Sequence, residues 1–447
     1  MYKNSLFKNL LIIGGNVAGL AAASQARRTN PQLDITVLEA GKYVSYGSCG
    51  LPYFLSGEIS KFEDLFAYPV SFFEEKRNIK ILLNHKVVAI NPSKKEVIVE
   101  EPEVNDDNPN YQSNYQPSHQ SNGNQSTRTK TFTYDKLIIC SGSLPVDPPV
   151  PGISAPNVFR FRTVDDVLKL KSFINKTGPG KAVVIGGSSI GFLVAEALIK
   201  LGIKATVIEK ERKIFKDYED EISEILHKKA KISGIDIFTS SRVTSIRLDQ
   251  VGRAISCMIK VSNEVSSESS NEADSDEGDS NGGEIFYIDT DFIVLATGIV
   301  ANTGFLSGTS IDLGVNRAIK VSPKLQTSYL NIYAAGDCCI VKNLVTGKDD
   351  YIPTANNAAK MGRIAGENAA GGDEIFPGSV GTKIDRVFGL EIAKTGITLN
   401  QANELGFNAF KISDSYPSHV KALPGAESIT ITIIVDSASR KLLGAQM

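Results

Sequence analysis

Leu10-Leu-Ile-Ile-Gly14-Gly15-Asn16-Val-Ala18-Gly19 opens the first regular segment of the chain. Ala182-Val-Val-Ile-Gly186-Gly-Ser188-Ser-Ile190-Gly191 repeats its grammar 172 residues further on, counted from Gly14 to Gly186. A short unbroken apolar run suits a strand buried on both faces. The glycines that follow serve a tight turn, a close backbone approach to phosphate and the packing of a helix on its strand. The next helix then presents free N–H groups and the positive end of its dipole to an anion. Both copies lack the middle glycine of the pattern, with Asn16 and Ser188 in its place, small polar residues that still allow near approach. Each is followed by a second strand ending in an acid. Glu39 lies 20 residues beyond Gly19 and Glu209 lies 18 beyond Gly191, the spacing of a carboxylate that holds ribose hydroxyls. Two dinucleotide-binding units of α/β type, with parallel sheets flanked by helices, are therefore expected in one chain.

The rest of the sequence is consistent with a multidomain globular protein. Its 447 residues are 42% hydrophobic and 22% charged, with a net charge of −2. Eight acids fall in residues 263–284, and without them the balance is +6, too mild an excess for a nucleic-acid footprint. Five Cys and four His exclude a disulfide scaffold and argue against a zinc module. No apolar run reaches the roughly 18 residues of a membrane span. The Lys3–Gly15 stretch imitates a signal peptide, but the strand–turn–helix reading favours a cytoplasmic protein. Residues 102–128 (Asn, Gln, Ser, Pro, Tyr) and 262–284 (Ser, Asp, Glu, Gly) are too polar to offset their ordering entropy and read as disordered insertions. They would lengthen hairpins between Val97–Val99 and Lys136–Ile139, and between Ser256–Val261 and Ile285–Ile288.

Further strand-like runs, Ile293 to Gly298 and Ile332 to Asp337, precede a helix from about Thr354 to Ala369. The pattern changes past Gly371. The expected division is residues 1–150 with 290–376 as a discontinuous first dinucleotide domain, 151–289 as the second, and 377–447 as the start of a third. The chain stops directly after a strand at Gly444-Ala-Gln-Met447, so this last domain is expected to be partial.

Cys49 lies in Ser45-Tyr-Gly-Ser48-Cys49-Gly-Leu-Pro-Tyr53. Taken alone it is either a reactive thiolate at a helix start or an inert packed thiol. The other four Cys fit the inert reading.

These stretches resemble the FAD-dependent pyridine nucleotide–disulfide oxidoreductases, within them the single-cysteine group of coenzyme A disulfide reductases, persulfide reductases and NADH oxidases. The resemblance covers the two glycine turns, the Cys49 segment, Ser141-Gly142, Ala296-Thr-Gly298, Ile332-Tyr-Ala-Ala-Gly336-Asp337, and Ser418-His419 with Pro424-Gly425. It implies FAD on Gly14, Gly15, Asn16, Ala18, Gly19, Glu39, Ser48, Cys49, Ser141 and Gly142, with Asp337 on the ribityl chain and Thr354 and Ala355 near the flavin pyrimidine end. It implies NAD(P)H on Gly186, Ser188, Ile190, Gly191, Glu209 and Gly298. NADH is favoured, because a carboxylate at Glu209 repels a 2′-phosphate; Lys210 and Arg212 soften the preference. Electrons would run from NAD(P)H through the flavin to Cys49 and on to a small disulfide or persulfide such as coenzyme A disulfide. Phe54 stands where two-cysteine relatives carry a partner thiol, so an internal disulfide is not implied. A complete family member would be a homodimer.

The chain departs from the family at four places. Val17 replaces a His that assists oxygen chemistry, and Ala422 and Leu423 replace two tyrosines. Ser189 and Leu193 replace an aromatic gate and a Glu of the second turn, which points to impaired hydride transfer, and the last domain is expected to be shorter than the resemblance implies. Three readings follow: a disulfide or persulfide reductase in the lead, an NADH oxidase as its rival, and a flavin-bound redox sensor or binding partner with little turnover. No metal is expected.

Overall fold

A computed structural model describes residues 7–102, 127–262, 284–420 and 422–447. Most of the two polar insertions, residues 103–126 and 263–283, lies outside the described residues. The chain divides into two compact units, each assembled from separate segments.

The first unit combines the segments up to Gly47, Glu63–Leu144 and Ile299–Gly381. Its centre is a five-stranded parallel sheet in the order Ile332–Ala334, Lys136–Ile139, Asn9–Ile13, Asp34–Leu38, Lys80–Leu82. Ile12, Val37 and Ile138 are fully buried, each contributing about 1.5–3 kcal/mol by leaving water. Helix Val17–Thr29 is rich in alanine, the best helix former, and ends on Arg27 and Arg28, whose charges suit the negative end of its dipole. It packs closely on helix Ala355–Ala369, since a Cβ at Gly362 would sit 2.3 Å from Ala18 O and one at Gly366 2.2 Å from Ala22 O. A smaller antiparallel sheet, Lys86–Asn91, Glu96–Pro102 and Thr127–Thr133, lies in the same unit. The hairpin bearing the first insertion therefore pairs Glu96–Pro102 with Thr127–Thr133, and not with Lys136–Ile139, which is the strand beside Asn9–Ile13.

The second unit combines Ser48–Phe62, Pro145–Gly298 and Thr382–Met447. Its parallel sheet has the order Asp236–Phe238, Lys204–Ile208, Lys181–Ile185, Phe292–Leu295, Val158–Arg160. Phe292–Leu295, grouped by sequence with the first unit, thus pairs with Lys181–Ile185 in the second. A buried four-residue apolar run carries no mark of which parallel sheet it will join. Ala254–Val261 and Ile285–Asp289 form the antiparallel hairpin around the second insertion. Helix Val164–Thr177 opens with a capping box between Thr163 and Asp166. Residues 382–447 form a five-stranded antiparallel sheet with helix Leu399–Glu404, and the final strand Leu442–Gln446 is flanked on both sides, by Leu390–Gly396 and Ser428–Asp436. No helix among the described residues is long and apolar enough to cross a membrane.

Candidate functional site

In the first unit the expected cofactor residues sit at the carboxyl ends of parallel strands, where open α/β sheets form ligand crevices. Gly14 follows Asn9–Ile13 with φ +99°, and a Cβ there would meet Cys140 O at 2.2 Å. A Cβ at Gly19 would sit 1.8 Å from Gly14 O, so only glycine lets the helix approach its strand. Glu39, ending the neighbouring strand, accepts Gly15 N–H through Oε2 and Gly41 N–H through Oε1, both at 2.7 Å. Burial raises its pKa, opposed by these two N–H donors. Asn16 is the N-cap of helix Val17–Thr29 but caps nothing with its side chain, and its buried Oδ1 has no partner among the described residues. Beside it Ser141 Oγ donates to Asn302 O at 2.7 Å and Asn302 N–H to Gly142 O at 3.0 Å, fixing the turn after Lys136–Ile139. Ser143 Oγ lies 3.4 Å from Asp337 Oδ2, and Tyr351 Oη donates to Asp337 O at 2.9 Å. Thr354 caps helix Ala355–Ala369 by accepting Asn357 N–H at 3.3 Å. A turn closed to side chains, an uncapped helix start and an orphaned buried amide oxygen fit a hydroxyl-bearing dinucleotide such as FAD.

The second unit repeats this arrangement almost atom for atom. Gly186 has φ +115°, and its Cβ would meet Ala296 O at 2.3 Å; a Cβ at Gly191 would lie 1.9 Å from Gly186 O. Glu209 Oε2 accepts Gly187 N–H at 2.5 Å and Oε1 accepts Glu211 N–H at 2.9 Å. Ser188 is the N-cap of helix Ser189–Lys200, again without a side-chain cap bond. Ile190 is exposed at the turn, and Gly298 O accepts Val146 N–H at 3.0 Å. The nearby cations are already paired: Arg212 and Lys213 with Asp220, Lys210 and Lys216 with Glu211. Ser189 donates to Asp385 Oδ2 at 2.7 Å and Leu193 is buried.

Cys49 also lies in the second unit, in the single turn Ser48–Gly50 that leads into helix Leu51–Ser56 with its early Pro52. All five cysteines are free thiols, and Cys49 is exposed while Cys140, Cys257, Cys338 and Cys339 are buried. Phe54 is buried one turn on. Lys171 holds the end of that helix, its Nζ donating to Phe54 O at 2.8 Å and lying 4.2 Å from the Phe54 ring centre.

The pyridine nucleotide-disulphide oxidoreductase family model matches residues 8–362. The chain belongs to this family. Over 444 residues it is 30% identical to the NAD(P)H coenzyme A polysulfide/persulfide reductase of Pyrococcus horikoshii, covering 98% of this chain and 87% of that protein. Two solved structures are similar over 98% of the chain. One is a NAD-dependent persulfide reductase from A. fulgidus (TM-score 0.83, 31% identity, 73% of that chain). The other is reduced Bacillus anthracis CoADR-RHD (TM-score 0.84, 28% identity, 71% of that chain).

This pyridine nucleotide-disulphide oxidoreductase has one further feature that its sequence did not announce. Ser24, Arg27, Arg28, Phe72, Lys76 and Arg77 line a cleft of about 420 Å³ in the first unit, with four cations and no carboxylate among them. Arg27 spends its donors on Arg77 O, Pro31 O and Asn78 O at 3.0, 2.7 and 2.6 Å, which fixes the cleft's base. Arg28 is held by Gln25 Oε1, and the Arg77 guanidinium lies 5.0 Å from the Phe72 ring centre. The pairs Arg27-Arg28 and Lys76-Arg77 are the signal, each closing a helix; only the fold brings them together.

Proposed function

We propose that this enzyme is an NADH-dependent reductase of coenzyme A-linked persulfides and disulfides, with Cys49 as its redox thiol. The observation that carries the reading is the pair of built dinucleotide cradles in a chain whose one exposed thiol is Cys49. FAD would lie on the first cradle, with Gly14, Gly15, Asn16, Ala18 and Gly19 against its pyrophosphate, Glu39 on its ribose, and Ser141, Gly142, Asp337, Thr354 and Ala355 toward its flavin half. Bound FAD supplies two-electron exchange between a nicotinamide and a thiol centre. Gly186, Ser188, Ile190, Gly191 and Gly298 would carry NADH. Glu209 would take the ribose hydroxyls, and the paired state of Arg212 and Lys213 leaves a 2′-phosphate without a ready counter-charge.

Cys49 attacks one sulfur of a coenzyme A disulfide; the S–S bond breaks, one coenzyme A thiolate departs, and the other half stays on Cys49 as a mixed disulfide. With a persulfide the leaving group is hydrosulfide. Two electrons and a proton then release the bound thiol and restore the Cys49 thiolate. The basic cleft suits the phosphates of coenzyme A. Phe54 keeps a second thiol away from Cys49, so the mixed disulfide waits for external electrons. A dimer is part of the proposal: the edge strand Ala409–Pro417 exposes Ile412 and Tyr416, and Ser428–Asp436 exposes Ile431, apolar groups that a second copy would cover. Five free thiols suit a reducing compartment such as the cytoplasm.

The test is NADH consumption with coenzyme A persulfide, coenzyme A disulfide and oxygen as competing acceptors, in wild-type and Cys49→Ser protein. The reading requires the sulfur acceptors to be faster and to depend on Cys49. A rate with oxygen that exceeds both, and survives Cys49→Ser, would establish the oxidase reading instead.

A further inference from the structure

Three of the four buried cysteines gather behind the first cradle. Cys140 ends the strand Lys136–Ile139, and its carbonyl is the wall that keeps a side chain off Gly14. Cys338 and Cys339 follow Asp337 and are 0% and 2% exposed. Their sulfurs lie 3.7 Å apart, and Cys338 Sγ is 3.4 Å from both Ile139 O and Ala335 O. Packing alone would be served by any small apolar residues here, whereas two thiols in contact hold redox chemistry that alanine or valine cannot.

We propose that Cys338 and Cys339 are a second dithiol–disulfide couple of this protein, separate from Cys49 and oxidised by hydrogen peroxide. The burial of both sulfurs selects the oxidant. A bulky disulfide cannot reach them, while a molecule little larger than water can enter through local opening.

The two thiols are not equivalent. The hydrogen bond from Cys339 holds the Cys338 thiol below its ordinary pKa against the upward push of burial, helped by the Ser141 and Gly142 N–H groups. Burial first, and then the Cys338 charge, push Cys339 up. Cys338 is thus the nucleophile and Cys339 keeps its proton for the second step.

In the first step the Cys338 thiolate attacks one peroxide oxygen. An S–O bond forms, the O–O bond breaks, and the departing hydroxide takes up the proton that Cys338 had lost, giving water and a Cys338 sulfenic acid. In the second, Cys339 attacks the Cys338 sulfur. The S–S bond forms, the S–O bond breaks, and the hydroxyl leaves with the Cys339 proton as a second water. Two thiols are oxidised by two electrons in total and one peroxide is reduced. The product is strained, because adjacent Cα atoms lie about 3.8 Å apart across a trans peptide and most bridged cysteines need about 4.4–6.8 Å. It is accordingly easy to reduce, the property of a regulatory disulfide and not of a structural one.

The experiment uses the full chain with its flavin bound, as wild type and as Cys49→Ser. Native protein is treated with a small excess of hydrogen peroxide, quenched, denatured, alkylated and mapped by mass spectrometry. In Cys49→Ser, two of the four remaining cysteines should resist alkylation, in one peptide that is two hydrogens lighter and carries a Cys338–Cys339 bridge. Mild dithiol before quenching should restore both. Adding Cys140→Ser should change nothing, and adding Cys339→Ser should leave a Cys338 sulfenic acid trappable by dimedone. Full alkylation of all four thiols, under peroxide that oxidises Cys49 in the wild type, would overturn the proposal. So would a bridge to Cys140, or over-oxidation of Cys338 without a bridge. Should Cys49→Ser fail to fold, the same peptide mapped in the wild type separates the same outcomes.

Discussion

Gly191→Ala should separate the proposed nicotinamide cradle from the proposed flavin cradle. An alanine Cβ at this position would sit 1.9 Å from Gly186 O, where real Cβ contacts stop at 3.0 Å. The start of helix Ser189–Lys200 must therefore withdraw by at least about 1.1 Å, and both clashing atoms belong to the cradle itself. Overpacking of this kind costs about 1–3 kcal/mol, and a displacement near 1 Å at a binding site lowers a reaction rate about 10²-fold. The first cradle lies in a separate unit and is left intact. Gly191→Ala should keep its full FAD content while flavin reduction by NADH slows roughly 10²-fold, read by anaerobic rapid mixing at the flavin's visible band. Gly19→Ala, with a Cβ 1.8 Å from Gly14 O, should instead lose FAD. Wild-type reduction kinetics in Gly191→Ala, or loss of FAD from it with NADH binding intact, would refute the assignment of the two cradles.

Four further outcomes follow from the same geometry. Cys49→Ser should reduce turnover of coenzyme A disulfide by roughly 10³-fold or more, with NADH still bleaching the flavin. Glu209→Ala removes the carboxylate proposed to hold the ribose hydroxyls and should narrow the NADH over NADPH preference about 10- to 100-fold, measured as the ratio of kcat/KM values. Arg28→Ala and Arg77→Ala should each raise KM for coenzyme A persulfide about 10-fold, with a smaller effect on kcat. The last concerns Glu101, whose side chain is 5% exposed and accepts from His85 Nε2 and Arg128 Nε, both at 2.8 Å. Burial raises its pKa, but Arg128, Lys130 and His85 together outweigh burial and hold it below its ordinary 4.5. A carboxyl with a depressed folded pKa stabilises the fold above its unfolded value and loses that contribution as pH falls through the folded one. Glu101→Gln should cost about 2 kcal/mol at neutral pH and flatten the loss of stability below about pH 4.5, followed by thermal unfolding across a pH series.

The parts of this molecule legible in its sequence are those with local causes. A glycine turn between an apolar strand and a helix is contained in ten residues, so both cradles and their acids could be read without the fold. Cys49 is marked by its own segment. What sequence hides is pairing at long range. Phe292–Leu295 and Lys136–Ile139 are equally apolar runs, and only the sheets decide that the first joins Lys181–Ile185 and the second Asn9–Ile13. The basic cleft needs the ends of two helices nearly fifty residues apart, Arg28 and Lys76–Arg77, to meet. Ser189 reads as a lost aromatic until Asp385, 196 residues away, is seen to accept its hydroxyl.

The most direct measurement is an anaerobic titration of the purified flavoprotein with NADH, followed by coenzyme A disulfide. Bleaching of the flavin band by NADH in both wild type and Cys49→Ser, with its return on adding the disulfide in wild type alone, is the predicted result. A flavin that stays oxidised in excess NADH would contradict the account, because the second cradle would then not deliver electrons to this chain.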